Sequence, residues 1–308
     1  MDISIVGAGA LGSYFGTRWS KAGANVQFVV REKRAAQLQE NGLKINSING
    51  DDQVKNPVTV TDPKQAAPAD IIVVSVKGYH LESVIDTLEK LVDAHTYILP
   101  ILNGVKHYDV LTNHFGKEKV LGGLANIIAT LDDKGHVKHT SKIDEIRFGP
   151  LDERQVKICE QLAEISADAN MTSKYSDKIL TDIWYKYMFI TAFSGITTVS
   201  NMEIGELLVH EETKDIIQQL LHEMRQIADR EKVDLTVQHL EKAWKTLYSL
   251  PANATSSMHQ DYRKGLHVEL EHLQGAAIEL ARKHQLDIPH LKTIYGILKA
   301  KISRRRPI

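Results

Sequence analysis

The chain has 308 residues, a formal net charge of −1 and one cysteine, Cys159; that length suits two domains, since single domains most often run to roughly 100–150 residues. Balanced charge leaves no global field to recruit nucleic acid or an anionic membrane surface, so a small-molecule partner is expected. A lone cysteine cannot form an internal disulfide, no apolar run approaches the roughly 20 residues of a membrane span, and the apolar start Ile3-Ser4-Ile5-Val6 lacks a basic leader, all of which suits a cytoplasmic protein with Cys159 as a filler residue.

Ile3–Val6 reads as a strand, the glycines after it as a tight turn, and Leu11, Tyr14, Phe15 and Trp19 as one face of a helix. A second apolar run, Val26–Val30, follows the turn signal Gly23-Ala24-Asn25, which makes a βαβ unit. Ile71–Val76 and Tyr97–Leu99 read as further buried strands of a parallel sheet, with a helix between them. Shorter strands are expected around Leu43–Ile48, Val58–Val60, Val120–Thr130, Val137–His139 and Ile146–Phe148, some of them antiparallel. From about Tyr175 helical periodicity dominates, and helices are predicted around Asp177–Ser194, Glu211–Glu231, Thr236–Ser249, Ser256–His284 and Ile288–Lys301. The fold class is therefore α/β: a Rossmann-type doubly wound sheet over residues 1–170, then an all-helical domain over residues 171–308. Amphipathic helices in the second half offer faces that a homodimer would use, and the basic tail from Arg304 to Pro307 reads as solvated.

Gly7-Ala8-Gly9-Ala10-Leu11-Gly12 gains its meaning from the strand before it and the helix after it. Gly7 allows the turn, Gly9 lets backbone approach a pyrophosphate, and Gly12 lets helix and strand pack closely while helix N–H groups face the anion. At the end of the second strand, where NAD binding usually calls for an acidic side chain, stands Arg31. Its guanidinium suits the 2′-phosphate of NADP, with Lys33 and Arg34 adding positive charge, so NADP is the cofactor expected. Glu32 competes for the ribose, and a set of solvated helix-start charges is the bland alternative. Lys77 and Asn103-Gly104 follow two other strands, where open α/β sheets bind ligands. Each is a candidate for the cofactor or substrate, against a plain surface residue and a plain turn.

Two charges fall on apolar helical faces. Lys186 has Ile179, Ile183, Phe189, Ile190 and Phe193 as neighbours, with only Asp182 offering a charge. It is either a snorkelling side chain or a desolvated proton donor in an interdomain cleft. Glu269, read on the long predicted helix, shares a face with Tyr262, Leu266, Leu273 and Ala276, while Glu271 falls beside His267 and Gln274 on a more polar flank. A buried carboxylate needs a partner, and Lys186 is the natural one, for chemistry or for structure alone. The histidines show no metal-binding spacing, and no nucleophile elbow or Walker loop occurs.

Taken together, the glycine loop, Arg31, Ser75-Val76-Lys77, Asn103-Gly104, Trp184-Tyr185-Lys186, the segment Ser256–Asp261 and Glu269 resemble the ketopantoate reductase (2-dehydropantoate 2-reductase) family over nearly the whole chain. The resemblance implies a Rossmann domain, a helical domain and NADPH-dependent reduction of ketopantoate to pantoate in pantothenate biosynthesis. It makes Lys186 the catalytic lysine and places Asn103 beside nicotinamide and substrate. It gives Ser257 the substrate carboxylate, and Glu269 the substrate and the lysine. The family pattern has asparagines four and eight residues after the lysine, contacting substrate or orienting the lysine; Ile190 and Ser194 stand there instead. Ile190 removes an amide and adds apolar volume, which disfavours a polar hydroxymethyl group. Two alternatives follow: a D-2-hydroxy acid dehydrogenase acting on branched or aromatic 2-oxo acids, and a non-catalytic NADP-binding sensor.

Overall fold

The computed structural model describes residues 1–304; the basic tail from Arg305 on lies outside the described residues. The chain divides into two compact units, one made of residues 1–102 and 107–179, the other of residues 103–106 and 180–308.

In the first unit the elements are β1 (Asp2–Val6), α1 (Ala10–Lys21), β2 (Asn25–Val29), α2 (Glu32–Asn41), β3 (Leu43–Ser47), β4 (Asp52–Val54), β5 (Val58–Val60), β6 (Ile71–Val74), α3 (Ile85–Leu91), β7 (Tyr97–Pro100), α4 (Lys106–Phe115, whose first residue belongs to the second unit), β8 (Gly122–Leu131), β9 (Val137–Gly149), α5 (Val156–Ala167) and β10 (Thr172–Tyr175). Five strands form a parallel sheet in the order β5-β2-β1-β6-β7. β1 and β6 lie inside it, and Ile3, Ile5 and Ile71 to Val74 are almost wholly buried, as both-face burial of a parallel sheet requires. α1 lies close on the sheet because two of its residues have no side chain. A Cβ at Gly12 would come within 2.2 Å of the Gly7 carbonyl oxygen, and one at Gly16 within 2.7 Å of the Phe28 ring. Tyr14, Phe15 and Trp19, all fully buried, fill the same face. Cys159, on α5, is packed in the core between this helix and the sheets, and burial pushes its thiol pKa up to about 12.

A second sheet runs β10-β9-β3-β4, with β8 antiparallel to β9. The two strands expected at Val137–His139 and Ile146–Phe148 are one 13-residue strand, and the intervening Asp144 is buried because Tyr14 Oη donates to it at 2.8 Å and Thr172 Oγ1 at 3.0 Å. The short polar strand β4 was not expected; it is held by the buried guanidinium of Arg18, which pairs with Asp52 at 2.5 Å and donates to the Gly50 carbonyl at 2.7 Å. β10 runs parallel to β9, so the first unit extends past residue 170.

The second unit contains α6 (Ile179–Ser200, whose first residue belongs to the first unit), α7 (Ile204–Leu207), α8 (Glu211–Arg230), α9 (Val237–Ser249), α10 (Ser257–Arg263), α11 (Ala276–Lys283) and α12 (Pro289–Ser303). It is all helical. α8 buries Ile217, Leu220, Leu221, Met224, Ile227 and Ala228, an apolar stripe at helical spacing. Its buried Glu223 reaches across to α12, accepting the His290 N–H at 2.9 Å and the Leu291 N–H at 2.8 Å. That carboxylate satisfies two of the otherwise unpaired donors of a helix N-terminus. Among the described residues no helix is long and apolar enough to cross a membrane.

The long helix predicted over Ser256–His284 is broken. α10 stops at Arg263, Gly265 turns the chain at φ +70°, and Leu266–Glu269 runs without regular structure into a π-helical turn, Glu271–Gly275. Glu269 therefore lies on a loop, not on a helix face. Glycine tolerates the positive φ that ends α10, whereas the apolar spacing across the break only mimics a helix.

Candidate active site

In the first unit the glycine loop joins β1 to α1. Gly7 turns at φ +96°, and Ser75 Oγ donates to its carbonyl, tying the loop to the end of β6. Gly9 caps α1 with an extended backbone, and a Cβ built there would meet nothing within 4 Å. Beyond it the first-turn N–H groups of Ala10, Leu11 and Gly12 have no acceptor inside the helix. An open backbone approach with unsatisfied donors at a positive helix end fits a pyrophosphate. Arg31 follows Val30 and is the N-cap of α2; its side chain is exposed and makes no hydrogen bond or ion pair among the described residues. Glu32 and Lys33 beside it are also exposed. Arg34 is different, because its guanidinium is spent on neighbouring protein acceptors. Lys77 caps the short 3₁₀ turn Gly78–His80 after β6 and is half-buried.

In the second unit Lys186 and Glu269 come together from α6 and from the loop before the π turn. Glu269 is 4% exposed. Burial pushes the Lys186 pKa down to about 8, and the Glu269 carboxylate opposes that shift. Two buried contacts hold the π turn against α6. Tyr187 Oη donates to the Leu273 carbonyl at 2.7 Å, and Gln274 Nε2 donates to the Thr191 carbonyl at 2.9 Å and to Ser194 Oγ at 3.0 Å. Tyr187, Thr191 and Ser194 share one face of α6, with Lys186 and Ile190 on the adjacent flank. Gln274, read from the sequence on a polar flank, is fully buried. The π turn inserts one more residue per turn, shown by the Gly275 N–H bonding to the Leu270 carbonyl at 2.9 Å, and so rotates Gln274 inward.

Ile190 is partly buried, whereas Ser194 is 2% exposed with its hydroxyl accepting from Gln274. Asn103, half-buried, belongs with residues 103–106 to the helical unit. Gly104, at φ +85°, lies so close to the His272 carbonyl oxygen that a Cβ would sit 2.7 Å from it. Asn103 is thus held beside the segment that carries Glu269. Ser257 is exposed at the first position of α10, behind the capping Ser256, whose Oγ accepts the His259 N–H at 3.1 Å. Ser13, Tyr187 and Gln274 went unnoticed as site residues, and Arg34, read from the sequence as added charge for the 2′-phosphate, is instead bonded to protein acceptors. Gln274, placed on a polar flank by helical spacing, carried no local signal of its burial.

A parallel sheet with this glycine loop, followed by an all-helical unit with a buried lysine–glutamate pair, defines a Rossmann-type oxidoreductase. The model of the Ketopantoate reductase PanE/ApbA family matches residues 3–153, and the model of its C-terminal part matches residues 178–302. An uncharacterized oxidoreductase of Bacillus subtilis (strain 168), YkpB, is 34% identical over 299 residues, which is 97% of this chain and 98% of that one. Among solved structures, 2-dehydropantoate 2-reductase from Geobacter metallireducens GS-15 superimposes with a TM-score of 0.90 at 23% identity, covering 98% of this chain and 100% of that one. D-mandelate dehydrogenase, in a ternary structure with NADH and anilino(oxo)acetate, has a TM-score of 0.86 at 22% identity over 98% and 99% of the two chains. The chain belongs to the ketopantoate reductase family of NAD(P)-dependent oxidoreductases.

Proposed function

We propose that the protein reduces a 2-oxo acid to the 2-hydroxy acid with NADPH, with ketopantoate as substrate and pantoate as product. The observation that carries this reading is the meeting of Lys186 with the buried Glu269, at a place where burial lowers the lysine pKa to about 8 although the carboxylate opposes that shift. NADPH, when bound, supplies a hydride to the C2 carbonyl carbon. Lys186 donates its proton to the carbonyl oxygen as negative charge develops there, becomes neutral, and regains the proton from solvent. Glu269 orients the ammonium and accepts a hydrogen bond from the substrate. Asn103 borders the reacting carbonyl, Ser257 binds the carboxylate, and Ile190 contacts the C3 substituent. Ser194 serves through Gln274, by fixing the turn beside Glu269. On the cofactor side the glycine loop takes the pyrophosphate and Arg31 the 2′-phosphate, with Lys77 at the end of β6 as a further contact.

Ile190 supports a second reading. An apolar side chain where the family pattern has an amide favours a branched or aromatic C3 substituent, and D-mandelate dehydrogenase shares this fold. A panel of 2-oxo acids assayed with NADPH and NADH separates the two. Ketopantoate is expected to lead in kcat/KM by about tenfold or more, the scale on which a pocket discriminates by one hydrogen-bonded or apolar group. The reverse order assigns the chain to D-2-hydroxy acid dehydrogenation, and no turnover of any 2-oxo acid leaves a cofactor-binding sensor.

A further inference from the structure

We propose that Arg34 is a positioning residue for the dinucleotide loop: it fixes the Ala8 carbonyl and thereby aims the Gly9 N–H at the pyrophosphate of either nicotinamide cofactor. This rests on the reading of Gly7–Gly12 as the dinucleotide site. From the sequence, Arg34 is one of several charges near the ribose. In the structure four of its five N–H donors are taken: Nε donates to the Ala8 carbonyl at 2.9 Å, Nη1 to Gln37 Oε1 at 2.5 Å, and Nη2 to Ser13 Oγ and the Gly135 carbonyl, each at 3.0 Å. A guanidinium held this way is not available for bidentate pairing with a 2′-phosphate, whereas the exposed Arg31 is.

The Ala8 carbonyl is the acceptor that matters. It also receives Ser13 Oγ at 3.1 Å, so two donors from two helices hold it toward the protein. Because a trans peptide is planar, its C=O and the next N–H point in opposite directions. Fixing the Ala8 carbonyl inward therefore turns the Gly9 N–H outward. That is the residue whose missing side chain would have met nothing. The other end of the clamp is equally close-fitting. Gly135, at φ +79° in the turn between β8 and β9, would place a Cβ 2.0 Å from Arg34 Nη1, so this turn leaves space only for the guanidinium. The clamp orders a loop before any ligand arrives, which lowers the entropy lost on binding.

The test measures Kd for NADPH, NADH and adenosine 2′-monophosphate in wild type and in Arg34→Gln. Both dinucleotides are expected to weaken by the same factor, about tenfold, as for the loss of one charge-assisted hydrogen bond. In turnover the loss falls on the cofactor KM and not on kcat. Adenosine 2′-monophosphate, which has no diphosphate, is expected to bind as it does to wild type; a general distortion of the site would weaken it as well, and would overturn the proposal. Weakening of NADPH alone would make Arg34 a 2′-phosphate ligand, and no change in either dinucleotide would also overturn the clamp. Should Arg34→Gln fail to fold, Ser13→Ala removes the second donor to the same carbonyl and is expected to weaken both dinucleotides equally, a few-fold; unchanged binding of both there overturns the proposal. Wild type that binds neither dinucleotide sinks the functional reading itself, and the clamp with it.

Discussion

Replacement of Lys186 by alanine is expected to lower kcat for 2-oxo acid reduction by about 10²–10⁴, the range for loss of a positioned proton donor. Cofactor Kd is expected to stay unchanged, because the proposed role of Lys186 is proton donation to the substrate carbonyl and not a contact with the dinucleotide. Arginine keeps the charge but holds its proton too tightly to give it up, so Lys186→Arg is not expected to restore the rate. The pH profile provides an independent check. Reduction requires the protonated lysine, so the wild-type rate should be flat at lower pH and fall as pH rises through about 8, the value to which burial lowers Lys186. Oxidation of the 2-hydroxy acid requires the neutral amine and should rise through the same value. A fully active Lys186→Ala, or a reduction rate that keeps rising above pH 8, removes Lys186 from the mechanism. Stability has the opposite sign to activity. The folded-state pKa lies below the ordinary 10.5, so the unfolded chain binds the proton more readily between these values and stability rises with pH across that window. Lys186→Met removes this pH dependence, so wild type should gain in melting temperature relative to the variant as pH rises from about 8 toward 10.5, on top of a constant loss in the variant from taking the ammonium away from the buried Glu269.

Arg31→Ala is expected to reduce the preference for NADPH over NADH by about 10²-fold, nearly all of it through weaker NADPH binding, as for loss of a two-pronged charged contact to a phosphate. Arg31 lends itself to this because its exposed guanidinium has no competing partner among the described residues. Fluorescence titration of both cofactors measures the change, and equal weakening would overturn the NADP assignment. The contrast with Arg34 makes the pair informative: two arginines three residues apart on one helix start, one expected to change cofactor choice and the other to change affinity alike for both.

The parts of this molecule that were legible in the sequence are those written by local periodicity. Ile3–Val6, the glycine loop and the face Leu11–Trp19 specify strand, turn and helix within a few residues, and α8, α9 and α12 carry clear apolar stripes. What escaped depends on partners far along the chain. β4 is held by Arg18 on α1, and the middle of β9 by Tyr14 and Thr172, contacts that no window of residues contains. The break after Arg263 escaped because Tyr262, Leu266, Leu273 and Ala276 keep helical spacing across a segment that is not helical. One glycine, Gly265, outweighs that pattern. Lys186 and Glu269 were visible because a charge amid apolar neighbours needs a partner wherever it lies. Gln274 and Arg34 were not, since an amide or a guanidinium near a polar stretch raises no such demand until its burial or its bonding is seen.

Cys159 is the chain's one thiol, and with its pKa pushed up to about 12 in the core of the first unit it holds almost no thiolate at neutral pH. Alkylating reagents thus meet a silent native protein. Each labelling event marks an excursion in which α5 has left its place, so the labelling rate acts as a built-in clock for opening of the cofactor unit. Slowing of that clock by added NADPH or NADH would report cofactor occupancy in an assay that needs no substrate.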